Sequence, residues 1–269
     1  MVKEEERFLD DIKKELAPIF VDSWHGKSGF KKIVKQKEQK PDYLKEKIEE
    51  AVERIEIKVE VFFKEMTIDK PRVLAEDKIR KTYEKFGKGE ELLERLITVS
   101  DPDVRNQFNL LSGLTNKEFD AKTRKMNIDL IVLNRNKKVI EMIELKKTEN
   151  PENPLCAMFQ LIVYYFIFLR CNKKYKEYKY PDVARALKLT ILAPKGYYQN
   201  HNSRPDNNEI LKEISEIATE SIRKGERKED VIEFQRLDID QEYLDDILIS
   251  LEANFRLGKT IFRGKKIIE

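Results

Sequence analysis

Alternation of apolar and polar positions is clearest in two neighbouring segments near the middle of the chain. Residues 127–133 read Asn-Ile-Asp-Leu-Ile-Val-Leu and residues 139–146 read Val-Ile-Glu-Met-Ile-Glu-Leu-Lys, with a short polar turn between them. Segments rich in β-branched residues that flank a polar turn are typical of two antiparallel strands. Because side chains alternate between the faces of a strand, Glu144 and Lys146 share one face. The pattern predicts a hairpin that brings Asp129, Glu144 and Lys146 together at the end away from the turn.

A spacing of three to four residues between apolar positions predicts most of the other elements as helices. The segment 155–170 is apolar nearly all round and is expected to be buried against the sheet. Other helices are predicted at 3–20, 42–54, 74–86, 90–98, 209–223 and 243–255, and further strands at 187–193 and 231–239. Residues 199–208, which contain His201, are predicted to form a loop.

Three segments carry ambiguous patterns. Residues 55–63 alternate β-branched residues with charged ones, which favours a strand, although Ile48, Val52, Ile55, Val59 and Phe62 would also form one helix face. Phe108, Leu110, Leu111 and Leu114 are compatible with a short helix that ends near Gly113, followed by a polar strand or loop at 117–125. The segment 27–40 holds six lysines and one glutamate, and a solvated basic loop is favoured over a phosphate-contacting one.

Composition restricts the class of protein without identifying a function. The 269 residues are 40% hydrophobic, which is enough for a substantial core, and the net charge of +3 is too small to predict a nucleic-acid partner. Two cysteines and two isolated histidines argue against a disulfide framework and a zinc site. The first residues do not form a signal peptide, and the longest apolar run, 158–169, is too short to span a bilayer. A cytoplasmic protein without a membrane partner is expected.

The three charged residues of the hairpin are the best candidates for chemistry. Burying charge is costly unless the charge is paired or bound to a metal ion, and magnesium is held by one or two carboxylates together with waters and phosphate. Asp129 and Glu144, with Lys146 beside them, therefore form a candidate metal site. In a chain with 38% charged residues, however, the same spacing also arises by chance.

The series Ile128-Asp129, Glu144-Leu145-Lys146 and Gln160-x-x-x-Tyr164 resembles the PD-(D/E)XK nuclease superfamily. It is most similar to the RecB-type exonuclease branch with its QxxxY motif, over roughly residues 85–195. Two departures from the family are that no proline precedes Asp129 and that Cys156 and Cys171 cannot supply the four-cysteine cluster of some members.

The resemblance implies a restriction-endonuclease-like fold and a hydrolase that uses Mg²⁺ or Mn²⁺ as cofactor. Asp129, Glu144 and the main-chain carbonyl of Leu145 would bind the metal ion, and Lys146 would act on the attacking water or on the developing phosphorane. Gln160 and Tyr164, four residues apart on one helix face, would position the nucleic-acid strand. An acid in an earlier helix often completes the family's site, and Glu91 and Glu94 are candidates, although a solvent-facing glutamate is the simpler interpretation of each.

A basic segment with interleaved tyrosines follows the apolar helix. Lysines neutralise phosphates and tyrosines offer stacking faces, a combination that suits single-stranded nucleic acid. The candidate nucleic-acid-binding residues are Lys173, Lys174, Tyr175, Lys176 and Lys179. An exposed loop with amphipathic tyrosines explains the segment equally well. The tail from Arg256, with five basic residues and one acidic residue, is a further candidate for phosphate contacts.

Together these patterns predict an α/β fold with a central mixed sheet, the hairpin at its centre and helices on both faces. A mainly helical N-terminal region is predicted at 1–75 and a PD-(D/E)XK nuclease-like domain at 76–269. The expected function is Mg²⁺-dependent hydrolysis of DNA phosphodiester bonds with 5′-phosphate products. The alternatives are a catalytically silent module that binds nucleic acid or protein, and a restriction-type or mobile-element endonuclease. Single- or double-stranded DNA, a helicase or repair protein and a second copy of the chain are the candidate partners.

Overall fold

The computed structural model describes residues 4–20, 24–65, 67–68, 104–109, 114–115, 127–134, 139–174, 186–201, 207–223 and 227–237. The helices are α1 (Glu4–Leu16), α2 (Lys27–Gln39), α3 (Tyr43–Glu65), α4 (Pro154–Lys174), α5 (Lys195–His201) and α6 (Asn207–Ile222). The strands are β1 (Thr67–Ile68), β2 (Val104–Asn109), β3 (Leu114–Thr115), β4 (Asn127–Asn134), β5 (Val139–Leu145), β6 (Ala186–Pro194) and β7 (Val231–Leu237).

A mixed sheet organises the described residues, with strand order β2-β4-β5-β6-β7. The strand β4 runs antiparallel to both β2 and β5, whereas β5, β6 and β7 run parallel to one another. The predicted hairpin is confirmed: Leu130 pairs with Ile143 and Asn134 pairs with Val139 across the turn. The strand β5 lies at the middle of the sheet, so the residues at its carboxyl end are surrounded by other elements.

Three helices cover one face of this sheet. The connections β5-α4-β6 and β6-α5-α6-β7 step across the sheet in the same direction, and right-handed crossovers place their helices on the same side. The helix α4 packs on β5 and β6, α6 packs on β7, and α3 packs on both of these helices. The α/β fold with a mixed sheet flanked by helices is thus confirmed.

One hydrophobic core joins the N-terminal helices to the sheet. Buried side chains of α1, α2 and α3 belong to the same cluster as those of α4, α6 and the central strands. The predicted boundary near residue 75 lies outside the described residues. Within them, the N-terminal helices are an integral part of the packing around the sheet.

The prediction of a strand at 55–63 was wrong, because α3 continues as one helix from Tyr43 to Glu65. The buried positions follow helical spacing, while Ile57 and Val61, which a strand would place on the same face as Ile55 and Val59, are 57% and 44% exposed. Burial of each aliphatic side chain contributes roughly 1.5–3 kcal/mol, far more than the β-propensity of its branched side chain costs. Packing against α4 and α6 therefore outweighs the local preference.

Three other predictions are corrected. The segment 27–40 contains helix α2 rather than a loop, since Gly29, Phe30 and Ile33 are buried at helical spacing. Phe108 lies in strand β2 opposite Ile128, not in a short helix, because the edge of β4 provides backbone hydrogen-bond partners that the sequence pattern does not show. His201 ends the helix α5, so the loop predicted at 199–208 is helical at both of its described ends.

The remaining elements mostly agree with their predictions. The helices α1, α4 and α6 and the strands β6 and β7 lie within two to four residues of the predicted bounds. The predicted helices at 74–86, 90–98 and 243–255, the segment 117–125 and the basic tail from Arg256 lie outside the described residues.

Candidate acidic and lysine site at the end of the central strand

Asp129 and Glu144 lie across from each other on neighbouring strands. The antiparallel register pairs Leu130 with Ile143, which makes Asp129 and Glu144 the next pair away from the turn. The side chain of Asp129 also fixes the end of β5, because its Oδ2 accepts the backbone N–H of Leu145 at 2.8 Å. Residues directly opposite in a ladder project to the same face. The hairpin therefore places the two carboxylates on one face, as the sequence pattern predicts.

Lys146 follows Glu144 on the same face and is bonded to it. Its backbone N–H donates to the carbonyl of Leu192 at 3.0 Å, which extends the parallel pairing of β5 and β6 by one residue. Its Nζ donates to Oε1 of Glu144 at 2.7 Å. Glu144 and Lys146 are only 2% and 4% exposed, so this is an ion pair inside the protein and not on its surface.

A third carboxylate, Glu152, joins the cluster and was missed by the sequence analysis. Lys146 Nζ also donates to Oε2 of Glu152 at 3.3 Å, and Nζ of Lys13 donates to Oε1 of the same carboxylate at 2.6 Å. Lys13 belongs to α1, so an N-terminal helix contributes to the surroundings of the predicted metal site. An acid between two prolines, six residues after Lys146, was the weak local signal for Glu152, whereas Lys13 resembles any lysine on an amphipathic helix.

One oxygen of Glu144 has no partner among the described residues. Oε2 is buried and accepts no hydrogen bond, although Oε1 is bonded to Lys146. A buried charged oxygen without a donor is expensive, and such an atom usually has a structural or functional explanation. Because Glu144 lies opposite Asp129, this oxygen has a second carboxylate nearby, and we consider it a candidate ligand atom.

The pKa values in the cluster differ in direction. Burial, reinforced by the charge of Asp129, raises the pKa of Glu144 to about 8. Burial also opposes ionisation of Glu152, but the ammonium groups of Lys146 and Lys13 outweigh it and lower the pKa of Glu152 to about 2. Burial alone would lower the pKa of Lys146, yet the surrounding carboxylates, Glu144 foremost, raise it well above its ordinary value. Glu152 and Lys146 are therefore ionised near neutral pH, and Glu144 is the group whose charge is incompletely compensated.

The donor set fits a hard divalent cation. Glu144 and Glu152 accept from the ammonium group of Lys146, and Asp129 lies beside Glu144 as a further acid that raises its pKa. In the part of the chain that the structure describes, no three acidic, histidine or cysteine side chains form a cage of their own. Magnesium needs only one or two carboxylates, with waters and phosphate oxygens as the remaining ligands. Asp129 and Glu144, with the carbonyl of Leu145 beside them, match that requirement.

The loop that carries Glu152 is held on both sides. Asn153 is fully buried: its Nδ2 donates to the carbonyls of Trp24 and Gly26, and its Oδ1 accepts the N–H of Cys156 as the N-cap of α4. On the other side, the hydroxyl of Tyr197 donates to the carbonyl of Glu152 at 2.9 Å. The segment before α2 and the short helix α5 thereby fix the backbone at Glu152.

The predicted pair on helix α4 is also in contact. Nε2 of Gln160 donates to the hydroxyl of Tyr164 at 3.0 Å, and Tyr164 is 1% exposed. Both residues lie on α4, and this helix packs on β5 and β6. The structure thus places both groups in the helix that follows the candidate site, bonded to each other as the four-residue spacing predicts.

The structure does not describe every predicted site residue. The side chains of Lys173 and Lys174, at the end of α4, and residues Tyr175, Lys176 and Lys179 lie outside the described part, as do Glu91 and Glu94. Their roles remain predictions from the sequence.

The sequence matches no protein-family model, and neither the curated proteins nor the solved structures provided a significant match. In the described residues, no helix combines the length and apolar character that a membrane span requires.

Proposed function

We propose that this chain is a nuclease with a PD-(D/E)XK core that hydrolyses DNA phosphodiester bonds with Mg²⁺ or Mn²⁺. The observation that carries the proposal is the buried, unpartnered Oε2 of Glu144 on the strand next to Asp129, with Lys146 bonded to the other oxygen. The resemblance of Ile128-Asp129, Glu144-Leu145-Lys146 and Gln160-x-x-x-Tyr164 to the superfamily supports the same interpretation.

Each side chain has a distinct role in this proposal. Asp129 and Glu144 hold the divalent ion, with the carbonyl of Leu145 as a third candidate ligand. The bound ion supplies a more acidic water and offsets charge on the scissile phosphate. Lys146, which the surrounding carboxylates keep protonated, orients the attacking water or stabilises the developing phosphorane, and Glu152 keeps its ammonium group next to Glu144. The resemblance implies 5′-phosphate products, and Gln160 and Tyr164 positioning the strand.

A cleavage assay tests the proposal. Labelled single- and double-stranded DNA would be incubated with Mg²⁺ or Mn²⁺ and with the wild type, Asp129→Ala or Lys146→Ala. We expect each substitution to lower the rate at least about 100-fold, because each removes a group that acts on the charge developing in the transition state. Asp42→Ala and Lys45→Ala, at exposed positions of the same residue types, are matched controls and should cut like the wild type. Cleavage that persists unchanged in Asp129→Ala and Lys146→Ala would refute the proposal.

A non-catalytic binding module is the second candidate. The ammonium group of Lys146 is held by two carboxylates and is almost completely buried, which favours a structural ion pair over a group that meets substrate. Such a module would bind DNA without cutting it, and a filter-binding measurement beside the cleavage assay separates the two candidates. Circular and end-blocked substrates then distinguish an endonuclease of the restriction or mobile-element type from an exonuclease, because only an endonuclease cuts DNA without free ends.

A further inference from the structure

Helix α2 presents a face of lysines to solvent. Its apolar residues Phe30 and Ile33 are fully buried in the core, whereas the exposed side carries four lysines. These residues, which we call the α2 lysine face, are Lys27, Lys31, Lys32 and Lys35. At 3.6 residues per turn they fall within an arc of roughly 140°, opposite the buried side. The helix is thus amphipathic in charge as well as in hydrophobicity.

The α2 lysine face is not neutralised within the described residues. The other two lysines of this segment form ion pairs: Lys37 with Glu213 at 2.6 Å, and Lys40 with Glu46 at 2.5 Å. The four face lysines take part in neither of these pairs, and together with Glu38, the acid on the same exposed side of the helix, they leave this side with a net charge of +3. Four like charges that repel one another on one helix face are stabilised by a polyanion.

The helix begins next to the candidate site. Asn153, the residue after Glu152, is bonded to the segment just before α2: its N–H donates to the carbonyl of His25 at 3.2 Å, and its Nδ2 donates to the carbonyl of Gly26 at 3.1 Å. Gly26 is the N-cap residue of α2. These hydrogen bonds hold the start of the lysine face next to Asn153. The neighbouring residue, Glu152, carries the carboxylate that is bonded to Lys146.

We propose that the α2 lysine face binds the phosphate backbone of the nucleic acid whose strand enters the Asp129 and Glu144 site. The proposal rests on the proposed function for the identity of the polyanion. The face from Lys27 to Lys35 extends about 12 Å along the helix, a length over which duplex DNA carries roughly seven phosphate charges. An anionic membrane fits less well, because a helix that lies on a membrane inserts its apolar side, and the apolar side of α2 is buried in the core.

Salt-dependent binding measures the contribution of this face. Fluorescence anisotropy with a labelled 30-base-pair DNA, in chelator so that no cleavage occurs, would compare the wild type with a variant in which the four face lysines are glutamine. The matched control replaces four exposed lysines elsewhere, Lys14, Lys45, Lys212 and Lys228, so that the net charge is the same. We expect the plot of log affinity against log salt concentration to lose about 3 to 4 units of slope in the face variant. The control variant should keep nearly all of the wild-type slope.

The outcomes separate this proposal from the proposed function. Equal DNA binding by the wild type and the face variant, or an equal loss of binding in the face and control variants, would refute the proposal that the lysine face binds DNA. Neither result would bear on the proposed nuclease activity. A face variant that loses binding, in a protein that cuts no DNA, would uphold the face and refute the nuclease. No DNA binding by the wild type, or binding only to phosphatidylserine vesicles, would overturn the face as a nucleic-acid surface. The pairs Lys27→Gln with Lys31→Gln, and Lys32→Gln with Lys35→Gln, each checked by thermal denaturation, guard against a folding defect and should each lose about half of the slope.

Discussion

Two buried carboxylates on the same sheet have opposite surroundings. Asp230, just before β7, is fully buried, and each of its oxygens accepts two hydrogen bonds. The donors are the hydroxyl of Tyr165, the N–H of Leu187 and two nitrogens of Arg227. Glu144, equally buried, has one partner for one oxygen and none for the other among the described residues.

The difference separates a structural acid from a candidate ligand. Asp230 joins α4, β6 and the turn before β7, and its charge is matched by a bidentate arginine, which is the strongest arrangement for a buried carboxylate. Glu144 lies beside a second acid, and its pKa is raised by burial and by that neighbour. A carboxylate that is costly to ionise in the free protein is one that a divalent cation stabilises.

The largest expected effect is the loss of stability in Asp230→Asn. The substitution leaves Arg227 half-buried without its partner and weakens several hydrogen bonds at once, so we expect a loss of about 3–5 kcal/mol in the free energy of unfolding. Glu144→Gln should cost only about 1 kcal/mol, because Lys146 keeps Glu152 as a partner and the substitution removes a buried negative charge next to Asp129. Urea denaturation in chelator measures both.

An equal loss in the two variants would contradict the comparison, since Glu144 would then be a structural ion-pair partner like Asp230. Arg227→Met provides a matched control: it should destabilise the protein about as much as Asp230→Asn, because it breaks the same pair from the other side.

The sequence predicts the parts of this comparison that depend on local spacing. The hairpin follows from alternation over two adjacent segments, and α4 follows from an apolar pattern that continues over many residues. Asp129, Glu144 and Lys146 are therefore placed correctly from spacing alone. Helix α3 is the counterexample: its β-branched residues favour a strand, and only packing against two helices decides for a helix.

Contacts between distant segments of the chain could not be predicted from the sequence. The bond between Lys13 and Glu152 joins residues 139 positions apart, and the partners of Asp230 come from three separate elements. No local pattern distinguishes Asp230 from the other acids of a chain with 38% charged residues, and the prolines near Glu152 are only a weak signal. Likewise, the unpartnered oxygen of Glu144 can be recognised only once its surroundings are packed.

A divalent cation should stabilise the protein through Glu144 and not through Asp230. A ligand that binds only the folded state at 100 times its dissociation constant adds about 2.7 kcal/mol. We expect Mn²⁺ or Mg²⁺ to raise the melting temperature of the wild type above that in KCl of equal ionic strength. The increase should disappear in Glu144→Gln and Asp129→Asn and persist in Asp230→Asn. Stabilisation that survives in Glu144→Gln would place the ion elsewhere.

Glu152→Gln should give a smaller effect on catalysis. Glu152 holds the ammonium of Lys146 without lying on the strand that carries the proposed metal ligands, and Lys13 holds Glu152 in turn. As a positioning residue, it should lower kcat about 10-fold with little change in KM, because the loss concerns the orientation of Lys146 in the transition state.

Glu152→Asp, which keeps the charge, should recover part of the lost kcat. A change in KM alone, or the same kcat in Gln and Asp variants, would contradict a positioning role and leave Glu152 as a structural link between α1 and the loop.

The smallest expected effect concerns a second unpartnered atom, Nδ1 of His201. The ring is buried, packs on Tyr197, and its Nε2 donates to the carbonyl of Asn150 at 3.0 Å, while Nδ1 has no partner among the described residues. Burial, with Lys27 and Lys31 nearby, lowers the pKa of His201 below its ordinary value of 6.5. A neutral ring without a donor to Nδ1 costs far less than a carboxylate without one.

The pH dependence of stability tests that distinction. Because the pKa of His201 is lower in the folded state, the unfolded chain takes up the proton first, and stability is complete above about pH 6.5 and declines as the pH falls towards the folded-state pKa. Between pH 7 and 5 we expect this residue to account for a loss of stability, which His201→Gln removes and the exposed His25→Gln retains. If both variants keep the wild-type slope, the pKa of His201 does not differ between the folded and the unfolded protein, which would contradict a buried neutral ring with an unpartnered Nδ1. A Mn²⁺-dependent rise in melting temperature that is unchanged in His201→Gln would further show that the unpartnered Nδ1 of His201 takes no part in metal binding, in contrast to the proposed role of Oε2 of Glu144.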